Sequence, residues 1–301
     1  MNIVLTGSLG HIGKPLAESL LQKGHTLTII SSKAERKSAI EALGAKAAIG
    51  LMEDADFLAA TFTGADIVYL METLDAAGGF FNPQVDYIAA INQIGNSYKQ
   101  AVLQSGVKRI VHLSSIGAHT DKGNGILAFH YNAENILKQL PDDVSIKFMR
   151  PTSFYYNMFA FIQSIKTQDA ILQNYGGDDK QPWVSPSDIA DVIAEEMELP
   201  FTGRTIRYIA SDEVSPNDIA KVIGAAIGKP ELKWLVIPDE QFLSKLLAAG
   251  MNPQIARGFV EMQASLRGNA LYEDYYRHQP ALRKVKLVDF AKEFASVYHQ
   301  Q

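Results

Sequence analysis

The stretch Asn2-Ile3-Val4-Leu5-Thr6-Gly7-Ser8-Leu9-Gly10-His11-Ile12-Gly13 decides how the rest of the chain is read. Residues 2–6 are a short apolar run of the kind that makes a buried strand. Leu16, Leu20 and Leu21 then recur at helical spacing until Gly24. A second apolar run, Thr26 to Ile30, completes a strand–helix–strand unit of the length a parallel crossover needs. In such a unit Gly7 permits the tight turn, Gly10 lets backbone amides approach a bound group, and Gly13 lets the helix pack closely on the sheet. The helix N-terminus offers free N–H groups and a partial positive charge, which suit a pyrophosphate. The reading is a dinucleotide site.

Outward from this unit the pattern keeps alternating. Residues 34–43 read as a helix, 47–49 as a strand, 55–62 as a helix and 66–71 as a buried strand. A polar, glycine-containing loop covers 72–81, and a long helix runs from about Pro83 to Ser105, where Gly106 is placed to cap it. A strand at 109–113, a helix at 129–139 and a strand at 144–149 follow. The strands are too continuously apolar to be half exposed, which predicts a parallel sheet covered by helices on both faces. Beyond Arg150 the regularity loosens. Aromatics crowd residues 154–159, a Gly/Asp loop spans 173–181, and a helix follows Ser187-Asp188, a pair that reads as its cap. A strand at 205–209 comes next, and Ser215-Pro216-Asn217-Asp218 has the cap, proline and acidic residue of a helix start. That helix ends at Gly228, and two more are expected at 239–249 and 253–266. The expected fold class is α/β, a Rossmann-type doubly wound parallel sheet. Residues 1–150 form the NAD(P)-binding domain, and 151–301 a smaller, mostly helical substrate-binding portion with an interleaved boundary.

Composition narrows the function. With 301 residues the chain can bury a large core, and its 47% hydrophobic and 20% charged content is that of an ordinary globular protein. A net charge of −5 argues against nucleic acid as the main partner, because phosphate binding needs a basic face. No cysteine is present, which excludes disulfides, thiol nucleophiles and thiolate metal sites. No apolar run approaches a membrane span, and the N-terminus does not read as a signal peptide, so a cytoplasmic setting is expected. The seven histidines show no metal-ligand spacing, and neither a Gly-x-Ser-x-Gly elbow nor a phosphate-binding Gly-Lys-Ser/Thr loop occurs.

An NAD site usually ends its second strand in an acidic residue that binds the ribose hydroxyls. Here that strand ends Ile30-Ser31-Ser32-Lys33, with Arg36 one helical turn further on. Two hydroxyls and two cations suit a 2′-phosphate, so NADP(H) is expected in preference to NAD(H); the same residues also fit a solvated helix start.

Taken with the later segments, the chain resembles an atypical short-chain dehydrogenase/reductase of the NmrA-like family. The resemblance rests on residues 6–13, on Gly106-Val107-Lys108-Arg109-Ile110-Val111-His112-Leu113-Ser114-Ser115, and on His130 followed by Glu134. It continues in Arg150-Pro151-Thr152-Ser153-Phe154 with Asn157, in residues 183–190, and in Val288-Asp289-Phe290-Ala291. It implies that Gly7, Ser8, Leu9, Gly10, His11 and Ile12 line the diphosphate and that Ser31, Ser32, Lys33 and Arg36 surround the adenosine ribose. Met71 and Glu72 would lie near the nicotinamide ribose. Ser114 and Ser115 would border the reacting end, and Pro151 to Phe154 would back the nicotinamide.

The pattern departs from ordinary short-chain reductases at the proton donor. None of the twelve tyrosines has lysine four positions later. Alignment on Glu134 puts His130 in the place of the lysine and Ile126 in that of the tyrosine, and isoleucine donates no proton. His130 is therefore a candidate ribose ligand or proton relay, or else a structural histidine; Ser115 either orients a substrate or caps the next segment. Phe154, Tyr155, Tyr156 and Asn157 either wall an acceptor pocket or belong to an interdomain core. Two functions stand. One is an NADPH-dependent oxidoreductase passing hydride to a small acceptor, such as a quinone or conjugated carbonyl, as monomer or homodimer. The other is a non-catalytic NADP(H) sensor with a protein partner.

Overall fold

The computed structural model describes residues 1–73, 79–268 and 270–300. Its strands are β1 (Asn2–Leu5), β2 (Thr26–Ser31), β3 (Lys46–Ile49), β4 (Ile67–Leu70), β5 (Arg109–Leu113), β6 (Ser145–Pro151), β7 (Ser153–Phe154), β8 (Ala170–Gln173), β9 (Gln181–Val184), β10 (Arg204–Ile209), β11 (Asp212–Val214) and β12 (Lys233–Val236). The helices are α1 (Gly13–Gln22), α2 (Lys37–Ala42), α3 (Ala55–Phe62), α4 (Tyr87–Ser105), α5 (Ala128–Leu137), α6 (Ile162–Gln168), α7 (Pro186–Glu198), α8 (Pro216–Ala226), α9 (Asp239–Ala248), α10 (Pro253–Ala264), α11 (Glu273–His278) and α12 (Leu287–Gln300).

Seven strands form one parallel sheet in the order β10-β6-β5-β4-β1-β2-β3. This is the doubly wound arrangement that the alternating pattern predicts. Successive side chains leave opposite faces, which explains the continuous apolar strands. Ile3, Leu5, Ile29, Tyr69 and Val111 pack with α1 and α7 on one side. Val4, Ile30, Val68, Ile110 and Phe148 pack with α3, α4 and α5 on the other. Strand order reverses between β1 and β4, so a crevice opens at their C-terminal ends, the usual ligand position in such sheets. Thr6 ties the two strands there: its Oγ1 donates to the Tyr69 carbonyl (3.1 Å) and accepts from the Met71 amide (3.0 Å).

The C-terminal half is more ordered than its sequence suggests. β10 extends the main sheet beside β6. β9 lies in a small sheet between β7 and β11, and β8 pairs with β12. β9 begins at the end of the stretch expected as a Gly/Asp loop, and α6, α11 and α12 also add to the expected elements. The Pro83 start of the long helix is corrected to Tyr87, because Asp86 is the N-cap and accepts from the Ala89 amide. Part of the 72–81 loop lies outside the described residues. Gly106 caps α4 at φ +76°, and Ser215 with Asp218 forms a reciprocal capping box, both as their sequences imply. The expected Ser187/Asp188 cap is corrected: Ser185 caps α7, while buried Asp188 accepts from Ser211 Oγ (2.6 Å) and the Val285 amide (2.9 Å).

α10 is fastened to the main domain by two glycines. A Cβ on Gly125 would lie 2.1 Å from the Gly258 carbonyl oxygen, and one on Gly258 would lie 3.1 Å from Ile126 Cβ. Asn252 adds hydrogen bonds from its amide group to the carbonyls of Asn82 (2.7 Å) and Val85 (3.1 Å). No helix among the described residues is long and apolar enough to cross a membrane.

Arg150, at the end of β6, is the polar centre of this half. Its guanidinium grips both Glu134 oxygens (2.8 and 2.7 Å) and also reaches Tyr208 (3.1 Å) and Asp274 (3.0 Å). Burial works to raise the Glu134 carboxyl, but Arg150, Ser114 and Lys138 outweigh it and hold it below the ordinary carboxylate range. A lowered folded-state value means that this pair stabilises at neutral pH, and the contribution is lost as pH falls through that value. Arg150→Met, which leaves buried Glu134 with only Ser114 and Lys138 and strips Asp274 of its arginine, should cost about 3 kcal/mol in urea denaturation at pH 7. The deficit should shrink in acid; equal deficits at pH 7 and pH 4 would contradict the assignment.

Candidate functional site

The loop after β1 is shaped by two tight contacts. Gly7 takes φ +87°, and a Cβ there would meet Met71 Sδ at 2.4 Å; a Cβ on Gly13 would meet the Ser8 carbonyl oxygen at 2.3 Å. Gly10 differs: its nearest neighbour would be the Gly7 carbonyl oxygen at 3.8 Å, so the protein itself leaves room for a side chain. Its bareness is explained by a ligand that must come close to the backbone. Ser8 is held at φ +57°, and its buried hydroxyl has no partner. α1 begins with neither a side-chain cap nor an acidic residue in its first turn. An uncapped helix start beside an orphaned hydroxyl is the donor set that an anionic diphosphate completes.

A cleft of about 360 Å³ joins this loop to the end of β2. Gly7, Ser8, Leu9 and Gly10 line one part, Ser31, Ser32, Lys33 and Arg36 another, and Gly50, Leu51, Met52, Glu53 and Thr73 close it. Lys33 and Arg36 form no ion pair among the described residues. Ser31 is buried and holds the turn, its Oγ accepting from the Lys33 amide (3.2 Å). Gly50–Glu53 were missed from sequence, although the strand that ends at Ile49 pointed to the loop that follows it.

Other expected positions separate into two groups. Met71 sits against Gly7, and its carbonyl accepts from the Tyr98 hydroxyl (2.7 Å). Pro151 ends β6, and Phe154 packs beside the α1/α7 core. Ser115 and His130 are half-buried. Tyr156 is exposed and stacks on His11, with ring centroids 4.5 Å apart, and Phe154 lies 6.4 Å beyond. Asn157 is exposed next to it.

Four side chains point elsewhere. Ile12 is in the core under α1. Glu72 is buried with both oxygens 3.1 Å from His112 Nε2, so its carboxylate is engaged away from a ribose. Ser114 is buried and donates to Glu134 (2.6 Å), which leaves Ser115 as the serine nearer solvent. Tyr155 is corrected from pocket wall to core, stacked between Trp183 and Phe290 (6.3 and 5.3 Å). Among the described residues no group of three His, Asp or Glu is placed to hold a metal.

A parallel doubly wound sheet with a glycine-loop cleft at its switch point defines a dinucleotide-binding protein of the Rossmann type. The chain belongs to the NmrA-like family, whose model matches residues 1–292. Among solved structures, triphenylmethane reductase from Citrobacter sp. superposes with a TM-score of 0.74 at 17% identity, covering 98% of this chain and 100% of that one. A quinone oxidoreductase from Escherichia coli crystallised with NADPH gives 0.74 at 17%, covering 97% and 99%. A nucleoside-diphosphate-sugar epimerase from Staphylococcus aureus gives 0.74 at 14%, covering 97% and 100%.

The two loop glycines separate fold from ligand. Gly7→Ala should destabilise the protein measurably in thermal melts, whereas Gly10→Ala should change stability by less than about 0.5 kcal/mol. The same Gly10→Ala should nonetheless weaken dinucleotide binding in a fluorescence titration; intact binding would remove the ligand explanation of Gly10.

Proposed function

We propose that the protein is an NADPH-dependent oxidoreductase that reduces a small planar acceptor, such as a quinone or a conjugated carbonyl compound. The observation that carries this is the single cleft in which an uncapped glycine loop meets two cations lacking a carboxylate partner among the described residues. Gly7, Ser8, Leu9 and Gly10 hold the diphosphate through backbone groups and the Ser8 hydroxyl. Ser32, Lys33 and Arg36 hold the 2′-phosphate, with Ser31 shaping their turn. Met71, Pro151 and Phe154 shape the floor for the nicotinamide, and His130 and Ser115 border its ribose and reacting end. When bound, the nicotinamide supplies the hydride. Residues 151–301 provide the acceptor side, where Tyr156, with His11 and Asn157, offers an aromatic ledge for a planar ring. The names of the reductases that share the fold support this reading.

A sensor that binds NADP(H) without turnover is favoured by one observation. Ile126, in the place of the usual tyrosine, is 5% exposed and supplies no acid.

Titration of nicotinamide fluorescence should show tighter binding of NADPH than of NADH. Lys33→Ala should weaken NADPH by about tenfold, near 1.4 kcal/mol, with little effect on NADH. Absorbance loss with a panel of quinones and conjugated carbonyls then separates the readings: binding without turnover selects the sensor, and absence of binding removes both.

A further inference from the structure

The loop that leaves β3 is fastened on three sides. The Gly50 amide donates to the Ser31 carbonyl (3.0 Å), which ties the loop to the end of β2. The Glu53 carbonyl accepts from Ser97 Oγ on α4 (2.9 Å). Asp54 then caps α3, its side chain accepting from the Phe57 amide (3.0 Å). Gly50 is bare for a reason within the protein, since a Cβ there would lie 2.5 Å from the Phe57 ring. A loop held this way presents its side chains at fixed positions.

Two of those side chains line the cleft and are left incomplete by the protein. Leu51 is 55% exposed, a large apolar group open to water in a concave wall. Glu53 is half-buried, and no hydrogen bond or ion pair reaches its carboxylate among the described residues. Its Oε2 is also shut away from solvent. Among the described residues that line the cleft it is the one carboxylate, and it pairs with neither Lys33 nor Arg36. A carboxylate that a ligand cuts off from water needs a donor on that ligand, or binding is penalised. An apolar wall beside an acceptor suits a flat ring that carries an N–H donor at its edge.

The neighbouring walls narrow what that ring is. On the cofactor reading the glycine loop takes the diphosphate, and Ser32, Lys33 and Arg36 take the 2′-phosphate. The ribose that bears this phosphate also bears the adenine, so the base is the part of NADPH that comes against the loop after β3. Adenine has one exocyclic donor, its 6-amino group.

We propose that Glu53 is a specificity-determining residue that reads the base of the dinucleotide, its carboxylate accepting a hydrogen bond from the adenine 6-amino group while Leu51 covers the ring face. The inference rests on the cofactor reading of the cleft and is independent of turnover. Bases with an oxygen at position 6 would set acceptor against acceptor, with no proton between them. The site therefore takes adenine dinucleotides and rejects their 6-oxo counterparts.

The probe is the reduced hypoxanthine analogue of NADPH, which differs from NADPH in the base alone. Nicotinamide fluorescence titrations of the wild-type protein should show NADPH binding about tenfold more tightly than the analogue. In Glu53→Gln the side-chain amide can turn either its oxygen or its amino group to the base, so the ratio should fall to about one. Loss of a negative charge shifts both affinities together and leaves the ratio unaffected. The replaced carboxylate has no partner in the described protein, so the variant should melt with the wild type. A wild-type protein that binds the two dinucleotides equally overturns the base contact and leaves the cofactor reading standing; a Glu53 bonded to a ribose hydroxyl or to the nicotinamide carboxamide would give that result. A ratio that stays near ten in Glu53→Gln assigns the discrimination to another group and overturns the proposal. A wild-type protein that binds neither dinucleotide overturns the cofactor reading, and the base contact with it.

Discussion

The ion pair between Glu134 and Arg150 holds two halves of the molecule to one geometry. Glu134 comes from α5, Arg150 from β6, and the guanidinium continues to Tyr208 on β10 and Asp274 on α11. A charge buried this deeply is tolerated only when every lobe of it is met, so each partner fixes the others. Ser114 is drawn into the same set, which sets the path of the chain leaving β5. The chain leaving β5, β10 and α11 therefore share one polar anchor.

Much of the first half could be read directly, because its signals are local. The glycine loop, the apolar strands and the Gly106 cap each act within a few residues of themselves. The later half was harder for a physical reason. β7, β8, β9, β11 and β12 are two to four residues long, too short for alternation to register, and their existence depends on partners far along the chain. Asp188 looked like a cap because it follows a serine near a helix start. Only the fold brings Ser211 and Val285 to it.

The site divides in the same way. Its glycine loop and the cations beyond β2 are written in two short stretches. The residues expected at a reacting end come singly from different elements, and here spacing misleads. Tyr155 and Tyr156 are neighbours, yet one is core and the other surface, because both lie in a 3-10 turn, where successive side chains point about 120° apart. Glu72 and His112 gave no sign of pairing across forty positions, since the parallel register of β4 and β5 alone brings their strand ends together. His11 holds its motif position in the glycine loop, and its ring lies against Tyr156, a contact the motif does not announce.

The glycine-on-glycine seam between the 125–127 turn and α10 constrains what position 126 can hold. Gly258 brings helix backbone into the space beside Ile126, and Gly125 removes the side chain that would hold the helix away. A larger residue at 126 would have to fit against that backbone. Placing an acid such as tyrosine there thus calls for a coordinated change in two segments far apart in the chain.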